Sequence, residues 1–242
     1  MKWGVLYGIG VGPGDPELIT VKGARILSEC RRVFVPKSPI AIQSLALTIA
    51  SRYLGADACV QELVFPMTAD PEELSGHWNE SAREVAAALE TGEDACFLTL
   101  GDPFLYSTYI YLLRALRTRA PGVEVVTVPG VPAFMAAAAL TEFPVGEAKE
   151  PVTILPTADD LEGIRQSLKK AGTLVLMKIG KRLGEILNLL EEAGAIERSV
   201  FVARVGMKEQ RVEPDLGKLR QEGPDAGYLS IILVHPGGGS SR

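Results

Sequence analysis

Apolar residues in the first half of the chain gather in short unbroken runs, VLYGIG, RVFVP, VQELVF, ACFLTL and VEVVTVP, each rich in β-branched or aromatic residues. Segments with helical patterning, such as IQSLALTIASRYL and PEELSGHWNESAREVAAALE, lie among them. This alternation predicts βαβ units on a parallel sheet. Most of the runs lack polar alternation, so both faces of that sheet are expected to be covered by helices.

After VPGVPAFMAAAAL, the polar segment TEFPVGEAKEP precedes a second series of strand candidates: VTILP, TLVLMKIG, SVFVAR, QRV and YLSIILVH. Helices at about 159–171 and 181–193 separate the first three. The later ones sit close together, which predicts a partly antiparallel sheet. The chain therefore reads as two α/β domains joined somewhere in 116–146. They are placed at 1–120, with a mostly parallel sheet, and 121–242, with a mixed one. The closing PGGGSSR is Gly/Ser-rich and expected to be disordered. No internal repeat is seen.

Composition changes the picture mainly by exclusion. With 47% hydrophobic and 23% charged residues among 242, the chain is too apolar for disorder and large enough for a substantial core. Lys and Arg total 25 against 30 acidic residues, a net charge of −5, so neither nucleic acid nor an anionic membrane is an expected partner. Cys30, Cys59 and Cys96 are odd in number and far apart, with no C-x-x-C pair, which suits reduced thiols and a cytoplasmic location. MKWGVLYGIGV faintly echoes a signal peptide, but it ends in GPGDPE without a small-x-small cleavage site. No run reaches the length of a membrane span. His77 and His235 are the only histidines, too few for a His-built metal site or a Ser/His/Asp triad, and no metal is expected.

The stretch GIGVGPGDPELIT, Gly8 to Thr20, looks like a phosphate loop, yet its glycines fit neither G-x-G-x-x-G nor a Walker loop. Gly10, Gly12 and Gly14 remove side chains at the carboxyl end of the first strand, so that a flat ligand could lie against bare backbone. Asp15 and Pro16 suit an N-cap and first helical position, and Thr20 suits the cap of the helix that follows. Two further strand exits have the same placement: Gly101, Asp102 and Pro103 in FLTLGDPFLYSTYIYLL, and Pro129 and Gly130 in VTVPGVPAFMAAAAL. Exits at one carboxyl edge suggest a shared cleft.

GVGPGDPELIT, TLGDPFLYST and VPGVPAF, in this order and spacing, resemble the tetrapyrrole methylases, S-adenosylmethionine-dependent enzymes that methylate uroporphyrinoid rings. The resemblance runs from Val5 to Val234. Within the family, four stretches look most like the C(20)-methyltransferases that act on precorrin-2 or cobalt-factor II in cobalamin biosynthesis. They are VFVPKS (Val33 to Ser38), FPMTADPEEL (Phe65 to Leu74), YST (Tyr106 to Thr108) and the closing YLSIIL. The uroporphyrinogen methylases would show a Gly-Arg-Gly-Gly-Glu-Glu run after the GDP loop, where this chain has YSTYIY.

The resemblance implies two α/β domains with the cofactor in the cleft between them, a homodimer, S-adenosyl-L-methionine as methyl donor and S-adenosyl-L-homocysteine as product. It further implies that Leu100, Gly101 and Asp102 cradle the amino-acid end of the cofactor and that Leu105, Tyr106, Val131, Pro132 and Ala133 pack against it. Met177, Ala203 and Gly206 would enclose its adenine and ribose. Gly12, Pro13, Gly14 and Lys37 are the candidate substrate-binding residues; Lys149, Lys178, Lys181 and Arg182 are further cations for the eight carboxylates of a precorrin ring. Tyr106 and Asp15 are the candidate catalytic residues for loss of the meso proton. His77 and Trp78 read as residues of an amphipathic helix face. A sibling methylase acting at another ring carbon, a nicotinamide-dependent oxidoreductase and a non-catalytic tetrapyrrole carrier remain the alternatives, and the sequence does not choose between a cobalt-containing and a metal-free ring.

Overall fold

The computed structural model describes residues 2–37, 44–65, 70–157 and 161–237. Ser38, most of FPMTADPEEL before Asp70, the first residues of the helix expected at 159–171 and the end of the Gly/Ser tail lie outside them. The chain divides into two compact units, Met1–Pro132 and Ala133–Arg242.

The first unit alternates β1 (Leu6–Gly10), α1 (Val21–Glu29), β2 (Arg32–Lys37), α2 (Leu45–Ala50), β3 (Cys59–Val64), α3 (Pro71–Glu90), β4 (Ala95–Thr99), α4 (Tyr109–Arg119) and β5 (Val125–Val128). All strands are parallel, in the order β3-β2-β4-β1-β5. The unit runs through Pro132, rather than ending at 120, because β5 pairs with β1 along Leu6 to Ile9.

The central strands β1, β2 and β4 are buried on both faces, as the unbroken apolar runs predicted, whereas the edge strand β3 is largely exposed. Phe34 and Phe97 point into a cluster with Val85 and Leu89 of α3 and Leu112 and Leu116 of α4. Their strand neighbours Val33, Val35, Cys96 and Leu98 point the other way, toward Ile26 and Leu27 of α1 and Ile49 of α2. On α3, Trp78 stacks on Tyr111 of α4 with ring centroids 4.4 Å apart. Caps define the helix starts: Thr20 Oγ1 accepts from Gly23 N at 3.1 Å, and Asp70 Oδ1 accepts from Glu72 N at 2.9 Å.

The second unit contains α5 (Ala133–Thr141), β6 (Val152–Pro156), α6 (Leu161–Ser167), β7 (Thr173–Met177), α7 (Leu183–Glu192), β8 (Ser199–Ala203), β9 (Arg211–Glu213) and β10 (Ser230–Val234). The sheet order is β6-β7-β10-β8-β9; β6 and β7 are parallel and the remaining pairs antiparallel. Its core joins Leu174, Leu176, Phe201, Ile232 and Val234 to Ile164 of α6 and Ile186, Leu187 and Leu190 of α7. Among the described residues no helix is long and apolar enough to cross a membrane.

Tyr109, the first residue of α4, is fully buried, and its hydroxyl shares a hydrogen bond with Thr127 Oγ1 of β5 at 2.8 Å. Its ring fills the place beside Gly8, where a Cβ would lie 2.3 Å from the ring. Tyr109→Phe is therefore expected to destabilise the first unit by roughly 1 kcal/mol, the worth of one hydrogen bond. Gly8→Ala should cost more, because the ring is pinned and must move to admit a methyl. Urea denaturation of the two variants checks the ranking.

Candidate active site

In the strand order of the first unit, β4 returns between β2 and β1, so the connections leaving β1 and β4 head to opposite sides of the sheet. The carboxyl ends of such a pair form the crevice where open α/β sheets bind ligands. Val11 N donates to Thr99 O at 3.0 Å, Gly101 N to Gly12 O at 2.8 Å and Gly12 N to Gly101 O at 3.3 Å. The first two exits are thus joined by main-chain hydrogen bonds. The third is held by Asp102, whose Oδ2 accepts from Gly130 N at 3.0 Å.

Main chain packs on main chain at this junction. A Cβ on Gly130 would stand 2.2 Å from Gly101 O and 2.8 Å from the Cα of Gly10, and one on Gly10 would stand 2.6 Å from Gly130 N. The space beside Gly10 is therefore taken by neighbouring backbone and is not left bare for a ligand, in contrast to the sequence expectation. Gly12, with φ +78, makes the turn and is buried together with Pro13 and Gly14. Gly101 differs: at φ +69, the nearest atom to a Cβ would be Val131 O at 4.0 Å. Room remains over its Cα.

Asp102 does not cap α4, which starts only at Tyr109. Its Oδ1 accepts from Phe104 N at 2.9 Å while Oδ2 holds Gly130, so the side chain ties two loops together. A carboxylate has about four lone-pair sites, which leaves capacity to accept from an ammonium. Leu100, Leu105, Val131 and Pro132 are half-buried around this junction, and Ala133 opens α5 in the second unit. Tyr106 adopts φ +53, is 37% exposed, and burial of part of its ring raises its phenol above the usual value.

Asp15 and Lys37 have partners of their own. Asp15 Oδ1 accepts from Glu17 N at 2.8 Å and caps the short turn Pro16–Leu18, as Asp-Pro suggested. Lys37 Nζ donates to Glu62 Oε2 at 2.6 Å. Of the other cations, Arg182 Nε donates to Glu185 Oε1 at 2.9 Å, and Lys149 and Lys181 are exposed.

In the second unit the expected residues gather at one edge of its sheet. Met177 ends β7 opposite Ile231, and Ala203 ends β8 opposite Ser230, so both flank the start of β10. Gly206 follows at φ +75, its N–H donating to Gln210 Oε1 at 2.7 Å. Thr157 N and Oγ1 both donate to Met177 O, at 2.8 and 3.1 Å.

Sequence reasoning named Gly10 and Gly130 as loop residues without seeing that they touch, and it missed Gly8, Thr99, Ser107 and Tyr109. A period-two signal was present: Gly8, Gly10 and Gly12 alternate, as residues on one side of a strand do. Ser107 lies in the YST stretch quoted above, but no comparable signal marks Thr99 or the pairing of the two hydroxyls.

The profile of the tetrapyrrole (corrin/porphyrin) methylases matches residues 5–220. The chain is 37% identical to the cobalt-precorrin-2 C(20)-methyltransferase of Salmonella typhimurium, with 96% of each chain covered. It is 34% identical to a probable cobalt-precorrin-2 C(20)-methyltransferase of Methanocaldococcus jannaschii, covering 95% of each. A precorrin-2 C(20)-methyltransferase of a Sinorhizobium species is 30% identical, over 96% of this chain and 95% of its own. Among solved structures, a cobalt precorrin-4 methyltransferase superposes with a TM-score of 0.73 at 22% identity, covering 96% of this chain and 94% of its own. A uroporphyrin-III C-methyltransferase from Thermus thermophilus, complexed with S-adenosylhomocysteine, gives 0.63 at 21%, covering 96% and 97%.

The glycine junction makes a contrast that can be tested. Gly130→Ala must push Gly101 and Gly10 apart and is expected to cost roughly 3 kcal/mol. Gly101→Ala has space for its methyl and should cost only the left-handed backbone, about 1–2 kcal/mol. Chemical denaturation of both checks the order; equal losses would mean that the three exits do not pack as described.

Proposed function

Because the chain belongs to the tetrapyrrole (corrin/porphyrin) methylase family, we propose that it is an S-adenosylmethionine-dependent methyltransferase acting at C(20) of precorrin-2 or its cobalt-containing counterpart, in cobalamin biosynthesis. The observation that carries this is 37% identity to a cobalt-precorrin-2 C(20)-methyltransferase over nearly the full length of both chains. The cobalt-containing ring is the favoured substrate, since the two more similar of the three relatives compared are named for it.

The junction of strand exits suits the cofactor. Gly101 leaves room for a ligand beside its main chain, and Asp102 retains acceptor capacity for an ammonium. Leu100, Leu105, Val131, Pro132 and Ala133 provide the apolar surroundings, and the adenine and ribose contacts expected of Met177, Ala203 and Gly206 belong to the same reading. When bound, S-adenosylmethionine supplies a methyl group on a sulfonium centre, destined for an electron-rich meso carbon, and S-adenosylhomocysteine is the product. The chain's contribution is alignment, which can supply about 7–11 kcal/mol toward such a displacement.

Loss of the meso proton then needs an acceptor. The raised phenol of Tyr106 stays protonated at neutral pH, so Tyr106 acts as a hydrogen-bond donor that orients the ring. Asp15, whose second oxygen has no described partner, is the better acceptor of the two. The ion pair of Lys37 with Glu62 is partly exposed, and such pairs contribute about 0–1 kcal/mol, so exchange of Glu62 for a substrate carboxylate costs little. Gly12, Pro13 and Gly14 shape the turn beside Asp15. A cytoplasmic homodimer completes the proposal; all three cysteines are free thiols, as a reducing compartment requires.

Incubation of the purified protein with S-adenosylmethionine and either precorrin-2 or cobalt-factor II, followed by mass and NMR location of the new methyl, is expected to place it at C(20). A methyl at another carbon would make the chain a sibling methylase. Failure of S-adenosylhomocysteine to give heat on calorimetric titration would remove the methyltransferase reading altogether.

A further inference from the structure

The loop that carries Gly101 and Asp102 is closed at its base by two side chains with no part in the roles assigned above. Thr99, the last residue of β4, and Ser107, just before α4, are both buried, and their hydroxyl oxygens lie 2.7 Å apart. Ser107 Oγ also accepts from Tyr109 N at 3.0 Å, while Thr108, at the N-cap position of α4, makes no side-chain cap. Ser107 therefore anchors the loop to the helix on one side and to the strand on the other.

Between these anchors Tyr106 holds φ +53. For a residue with a Cβ this conformation costs roughly 1–2 kcal/mol and persists only where the surroundings impose it. On the amino-terminal side of Tyr106, Asp102 fixes the turn through Phe104 N at 2.9 Å. On the carboxyl-terminal side the Thr99 and Ser107 pair supplies a constraint. An apolar pair of the same shape would fill the core equally well, because a buried hydrogen bond adds little net stability. A hydrogen bond adds direction, and here it fixes where the loop ends relative to where it begins.

We propose that the Thr99–Ser107 hydroxyl pair is a latch that holds Tyr106 in its left-handed conformation, which makes Thr99 and Ser107 positioning residues for the methyl transfer. This rests on the function proposed above for the reacting loop, but the latch itself can be tested without turnover.

The test compares Thr99→Val, which keeps the shape and the bond from Ser107 to α4 but removes one hydroxyl, with Thr99→Ser, which keeps the hydroxyl and loses a methyl. Hydrogen exchange is read at the amides of 104–107. The kcat is measured with S-adenosylmethionine and the tetrapyrrole, per molecule competent to bind S-adenosylhomocysteine. In Thr99→Val exchange is expected to rise about tenfold or more, as a locally opened segment does. Its kcat should fall about tenfold through misplacement, with no further loss when Tyr106→Phe is added, since residues acting as a unit are non-additive. Thr99→Ser should match the wild type in both readouts. The proposal is overturned if Thr99→Val leaves exchange unchanged, if exchange rises while kcat stays level, or if Thr99→Ser falls as far as Thr99→Val, which would make the role one of packing. If the wild type transfers no methyl at all, the functional reading fails on its own and the exchange comparison still decides whether the latch exists.

Discussion

Close contact between unsubstituted main chain at Gly10, Gly101 and Gly130 sets the geometry on which the first unit's candidate site depends. Three strand exits converge where β1 and β4 part, and each must pass within van der Waals distance of the other two. A methyl at Gly10 or Gly130 would occupy space already filled by backbone, so only glycine allows the crossing. Asp102 supplies the complementary electrostatic restraint by accepting from amides on two of the loops. The glycines set how near the exits lie, and the carboxylate sets their register. The second unit repeats the device, for a Cβ on Gly227 would stand 2.0 Å from Gly180 O.

How much of this was legible in the sequence depends on the range of each interaction. The parallel strands could be read because burial of both faces of the central ones leaves unbroken apolar runs, and the antiparallel part of the second sheet because its later strands sit close together. Caps such as Asp15 and Thr20 were readable because they act within two or three residues. Contacts between residues distant in sequence were not. Nothing local shows that Asp102 reaches Gly130, that Gly10 touches both Gly101 and Gly130, or that Thr99 meets Ser107 across the loop. For the same reason nothing local shows that the GDP turn stands apart from α4, which starts only after the loop has closed.

An acidic chain proposed to receive a ring with many carboxylates has to place its cations locally. Lys37 and Arg182 each sit against a glutamate, so the described structure shows them neutralised and not waiting as bare positive charge. These pairs are at least partly exposed, where solvent screening keeps their net worth to about 0–1 kcal/mol. A substrate carboxylate that replaces Glu62 or Glu185 therefore exchanges one weak pair for another.

Backbone strain falls on several of the same regions, and also on Glu142 and Ala148 between α5 and β6. Among the described residues, the other non-glycine positions with positive φ are Tyr106 in the loop between β4 and α4 and, in the second unit, Lys178, Arg204 and Leu229. Lys178 directly follows β7, Arg204 follows β8 and Leu229 precedes β10, and because β10 runs antiparallel to both neighbours all three lie at one sheet edge. Arg204 N donates to Leu229 O at 2.9 Å, so the strained residues support one another. Each left-handed residue costs roughly 1–3 kcal/mol, and such costs concentrate where a ligand or reaction requires a particular backbone path. Met177 and Ala203 directly precede Lys178 and Arg204, and Gly206 lies two residues beyond, so the cofactor contacts proposed for them fall on the strained edge.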